Sequence, residues 1–74
     1  MAEIVLRIRL TSGDRLDVTY EVPDAVNADD ALEQAIETLA QDSGVLRSRH
    51  GGRLVVFYGR GVAAIEAAPR GAIL

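Results

Sequence analysis

A chain of 74 residues makes one small domain, and at this size folding hides only about 60% of the surface the unfolded chain exposes, which leaves a thin stability margin. The absence of cysteine excludes disulfide staples, and a lone histidine excludes a Cys/His zinc site, so oligomerisation is the remaining common support for a small core. The net charge of −3 conceals a polarity: residues 1–44 set three arginines against ten acids, a balance of −7, whereas residues 45–74 set five arginines against Glu66 alone, a balance of +4.

All eight basic residues are arginine. A GC-rich coding sequence explains this most simply; the alternative is selection for the bidentate carboxylate or phosphate contacts that lysine does not make. The start of the chain has no basic region followed by an apolar core and a small-residue cleavage site, and no apolar run approaches the roughly 20 residues of a membrane span. A soluble, cytoplasmic protein without membrane association is the expectation.

Ile4, Leu6, Ile8 and Leu10 alternate with Val5, Arg7 and Arg9, which predicts a half-buried strand over about residues 3–10. Thr11 to Asp14 is turn chemistry. Leu16, Val18, Tyr20 and Val22 then alternate with Asp17, Thr19 and Glu21, predicting a second strand over 15–22 that Pro23 terminates. A three-residue loop of Ser12 to Asp14 would set Leu10 opposite Leu16 and Arg9 opposite Asp17.

Asn27 is a candidate N-cap, with Asp29 and Asp30 in a first turn where the helix dipole favours negative charge. Ala31, Leu32, Ala35, Ile36, Leu39 and Ala40 recur at helical spacing, so a helix is predicted over about 28–42 with Gly44 as its stop. Its other face carries Asp29, Asp30, Glu33, Glu37 and Asp42 with no basic residue, which reads as a solvated face. Residues 45–50 read either as a short edge strand turning through Gly51-Gly52 or as an extended loop.

The densest apolar run, Leu54 to Tyr58, is followed by Gly59-Arg60-Gly61 and a second run from Val62 to Ile65. This pattern predicts a hairpin of strands 53–58 and 62–68, with Leu54, Val56, Tyr58, Ala63, Ile65 and Ala67 on the core face and Phe57 outward. Residues 69–74 form a tail whose apolar tip, Ile73-Leu74, is expected to fold back on its own core or dock on a neighbouring subunit.

The expected fold is therefore α+β: ββαββ, a four-stranded sheet, or five-stranded if 45–50 joins it, with one helix on one face. The first and last strands would then lie side by side and parallel. That outline resembles the β-grasp (ubiquitin-like) architecture over most of the chain. The chain has no terminal Gly-Gly, so conjugation is not implied. From Ala28 to Ala68 the succession of helix, short basic link, glycine turn, apolar strand and a strand ending in Ile65-Glu66 is also similar to small actinobacterial proteins, a likeness that implies no activity.

No catalytic motif is present. His50 has Arg47, Arg49 and Arg53 for neighbours and no orienting carboxylate, so an exposed turn histidine is expected rather than a general base. Ser12, Ser43 and Ser48 lack a nucleophile-elbow setting, and the carboxylate pairs Asp29/Asp30 and Glu33/Glu37 lack calcium-loop spacing. No cofactor or metal is expected. One helix covers only one face of the sheet, leaving Val5, Val55, Phe57 and Ala64 on the other with Arg7, Arg9 and Glu66 around them, an apolar centre with a charged rim. The functional expectation is a non-enzymatic protein-interaction module, a homodimer through this open face or an edge strand. The alternative is anion or nucleic-acid binding through Arg47, Arg49, His50, Arg53 and Arg60.

Overall fold

A computed structural model describes residues 2–22 and 27–73. Five strands and one helix follow in the order β1 (Ala2–Leu10), β2 (Arg15–Val22), α1 (Ala28–Leu39), β3 (Val45–His50), β4 (Arg53–Tyr58), a 3-10 turn (Gly59–Gly61) and β5 (Val62–Ala67). The strands form one antiparallel sheet in the order β4-β3-β2-β1-β5, with α1 on one face. Leu6, Ile8 and Val18 are fully buried beneath Ala35 and Leu39 of the helix, and Leu46 and Phe57 complete the core from the other half of the sheet.

The alternation expected of β1 and β2 is observed, but their register differs by two residues. Arg7 lies opposite Asp17 and Arg9 opposite Arg15. The loop explains the shift. Gly13 takes φ +97°, its N–H bonds the Leu10 carbonyl at 3.0 Å, and Leu10 N–H bonds the Asp14 carbonyl at 2.8 Å. A three-residue hairpin loop needs its left-handed residue last, so the loop is Thr11 to Gly13 rather than Ser12 to Asp14. A shift of two residues leaves the side chains of residues 3–10 and 15–21 on their expected faces.

α1 begins as the sequence implies: the Asn27 side chain accepts from Asp30 N–H at 2.8 Å, with Asp29 and Asp30 in the first turn. It ends at Leu39, three residues short of the expectation, and Gly44 lies beyond it in the turn leading to β3. Pro23, the expected end of β2, lies outside the described residues, as does Leu74.

The second half of the chain departs from the expected hairpin. Residues 45–50 are a strand, and its partner is β4, joined through Gly51 (φ +57°) and Gly52 (φ +82°), the two positive values that a type I′ turn requires. β4 and β5 are not neighbours: they occupy opposite edges. β5 does lie beside β1, but antiparallel to it (Ile8 opposite Ile65, Arg7 opposite Glu66), so the parallel first and last strands of the expected outline are absent.

This order constrains the shape. Four residue steps from Tyr58 to Val62 reach at most about 14 Å, whereas the edges of a flat five-stranded sheet lie about 19 Å apart. The sheet must therefore curl around α1. The 3-10 turn closes the gap between its two ends: Gly59 N–H bonds the Gly44 carbonyl at 2.9 Å, and Thr11 N–H bonds the Gly61 carbonyl at 2.9 Å.

Candidate interaction surface

The register of β4 decides which of its side chains reach solvent. Phe57 pairs with Leu46 and Val55 with Ser48, so both point to the helix side; Phe57 is 4% exposed and Val55 is half-buried against the same core. They are therefore not part of the open face, contrary to expectation. In their place stand Leu54 (58% exposed), Val56 and Tyr58 (51%), with Val45 (44%) opposite Tyr58 on β3. The outward side of Leu54, Val56 and Tyr58 is not legible from the sequence because the run Leu54 to Tyr58 is apolar at every position and carries no period of its own. The signal that places them is Gly51-Gly52, a two-residue turn that makes His50 and Arg53 partners and fixes every later pair.

The other residues expected at the interface do share the open face. Val5, Arg7 and Arg9 of β1 lie beside Ala64 and Glu66 of β5, but their charges are already engaged. Arg7 Nε is 2.7 Å from Asp17 Oδ1 and its Nη2 is 3.1 Å from Oδ2. Arg9 Nη2 lies 2.7 Å from Glu66 Oε1. The C-terminal tail crosses the same region: Ile73 N–H donates to Asp17 Oδ2 at 3.0 Å, and Arg7 Nη2 lies 3.5 Å from the Arg70 carbonyl. Arg70 and Ile73 thus return to their own chain through main-chain groups, while the Ile73 side chain stays 77% exposed. This half of the open face is a closed ion-pair network under a strap.

Asp17 is the centre of that network. Two hydrogen bonds from Arg7, aided by the Ile73 N–H and the nearby Arg15 charge, outweigh the cost of burial and lower its pKa from 3.8 to about 2. The folded carboxyl therefore binds its proton later than the unfolded one. Its stabilisation is complete above about pH 5 and is lost as pH falls through 3.8 toward 2. Asp17→Asn is expected to cost about 2 kcal/mol at neutral pH, since hydrogen bonds to a charged group are removed. The variant should also show a shallower fall in melting temperature between pH 6 and pH 2. Equal acid slopes in the two proteins would refute the assignment.

The five residues of the expected anion site do not converge. Arg47 and Arg49 lie on the open face, whereas Arg53 pairs with His50 at the hairpin end and points to the helix side. Arg60 sits at the far end of β4, its guanidinium carbon 5.2 Å from the centroid of the Tyr58 ring. His50 is half-buried rather than exposed, and its Nδ1 donates to the Asp17 carbonyl at 2.7 Å. Among the described residues no group of three or more His, Cys, Asp or Glu is placed to hold a metal ion, and no helix is long and apolar enough to cross a membrane.

The edges of the sheet differ in their protection. In β4 the hydrogen-bonded pairs with β3 fall on Arg53, Val55, Phe57 and Gly59: the turn makes the first and the Gly59–Gly44 bond marks the last. The N–H and C=O groups of Leu54 and Val56 accordingly point away from the sheet. β4 has no proline, bulge or charge between Arg53 and Arg60. β5 has a register shift opposite Arg9/Leu10, the charge of Glu66, and Pro69 just beyond its end, all devices that blunt an edge. Comparison with family models, with curated proteins and with solved structures finds no match.

Proposed function

We propose that this chain is a non-enzymatic protein-interaction module that self-associates, the β4 edge of one copy pairing antiparallel with β4 of a second about a two-fold axis. The observation that carries this reading is the unprotected edge at Leu54 and Val56, whose free amides and carbonyls lie beside exposed apolar side chains. Pairing would extend two curled sheets into one of ten strands and cover part of Leu54, Val56 and Tyr58 on each copy. The small core of a 74-residue chain supplies the thermodynamic motive. An isologous β4 contact closes after two copies; a β4-to-β5 contact would continue without limit.

Sedimentation equilibrium from micromolar to millimolar protein tests it. Wild type is expected to move from monomer to dimer and stop there. Val56→Pro should remain monomeric and folded, because the lost N–H faces outward and proline is tolerated at that position of an edge strand. A wild type that stays monomeric throughout, or that grows past the dimer, rules the proposal out.

A further inference from the structure

The edge of β4 uses main chain; the side chains of the same strand face a different direction and make a second surface. Leu54, Val56 and Tyr58 form an apolar strip on the open face, roughly 13 Å from first to last at 3.3 Å per residue. Across from them on β3 lie Arg49, Arg47 and Val45, and Arg60 closes the strip at its end. Between Val45 and Ile65 the chain has four arginines and no acid. A carboxylate also borders the strip: Glu21 of β2 lies 3.8 Å from Arg49 Nε. At the seam between β2 and β3, where among the described residues Thr19 opposite Arg49 is the single paired position, a hollow of about 230 Å³ opens between Glu21, Arg47, Arg49 and Leu54.

We infer that this half of the open face docks an acidic amphipathic helix from a partner protein. A sheet face without its covering layer is completed by a helix as α1 completes the other face, and a 13 Å strip matches two to three helical turns. Apolar residues at i, i+3 or i+4, and i+7 would lie on Leu54, Val56 and Tyr58. Aspartate or glutamate beside them would meet Arg47 and Arg60, neither of which makes an ion pair with a described carboxylate. The charge selects the partner: a basic helix would set its cations against Arg47, Arg49 and Arg60. Nucleic acid is disfavoured because Arg53 turns to the opposite face and a single aromatic, Tyr58, is exposed to stack on bases.

Fluorescence anisotropy with three labelled probes tests the inference: a synthetic Glu/Leu amphipathic helix, its Lys/Leu counterpart, and single-stranded polyuridine. The acidic probe is expected to bind wild type within about threefold at protein concentrations below and above the monomer–dimer transition, since edge pairing uses main chain and leaves most of the strip in place. Arg47→Glu/Arg60→Glu should weaken it at least tenfold while remaining dimeric by sedimentation. The two readings therefore fail separately, one in sedimentation and the other in anisotropy. Equal binding of the lysine probe, or undiminished binding of the acidic probe to the double variant, overturns the inference. Polyuridine binding that collapses with added salt does so too, in favour of a phosphate-binding face.

Discussion

Truncating Phe57 to alanine is expected to cost about 4 kcal/mol, because a buried aromatic removed from a packed core loses its transfer free energy and leaves a cavity. Phe57 is 4% exposed and belongs to one core cluster with Leu6, Ile8, Val18, Ala35, Leu39 and Leu46, the cluster that joins the β3–β4 half of the sheet to the β1–β2 half and to the helix. A domain of this length is stable by about 4–11 kcal/mol at 0.05–0.15 kcal/mol per residue. The variant should therefore lie near its unfolding threshold, with a melting temperature lower by roughly 20 °C. Three positions earlier, Leu54→Ala should change stability by less than about 1 kcal/mol, since the side chain is 58% exposed. Urea denaturation of the two variants compares them directly. If Leu54→Ala proved the costlier, the strand would be inverted and its open-face strip would belong to the core.

That contrast marks where the fold could be read from the sequence. β1 and β2 were legible because each alternates strictly, and choosing between two faces needs only that alternation. The start of α1 was legible because Asn27, Asp29 and Asp30 are cap chemistry, which acts within a single turn. The faces of β4 were not, because five consecutive apolar residues suit either parity and a slip of one exchanges the faces. Only the turn could decide, and two glycine turns compete: Gly51-Gly52 before the strand and Gly59-Arg60-Gly61 after it. Taking the second as the hairpin placed Leu54, Val56 and Tyr58 inside and Phe57 outside, the reverse of the observed arrangement. The placement of β5 beside β1 carries no local signal. It depends on the curl of the whole sheet, and with it on the seat of the 3-10 turn.

Gly59→Ala should test that seat and cost about 3 kcal/mol or more, with main chain rather than a movable side chain in the way. Gly59 is buried in the crossing from β4 to β5. A methyl there would lie 2.9 Å from the Leu39 carbonyl oxygen and 3.0 Å from the Gln41 carbonyl carbon, and would overlap the Gln41 oxygen itself. Gly44 meets the same turn from the β3 side, where a methyl would lie 2.7 Å from the Thr38 carbonyl carbon. Neither has a positive φ, so the requirement is for space and not for a left-handed backbone. Gly61 belongs to the same short turn, but a methyl there would have nothing within 4 Å of it, so Gly61→Ala should lie within about 0.5 kcal/mol of wild type. Gly44→Ala and Gly59→Ala together should cost less than the sum of the two, because both press on Thr38 to Gln41 and the first displacement makes room for the second. Chemical denaturation of the three single variants and the double measures all of this. A Gly59→Ala protein as stable as Gly61→Ala would mean that the crossing does not pass against the end of α1, and without that passage β5 cannot reach the β1 edge in four residue steps.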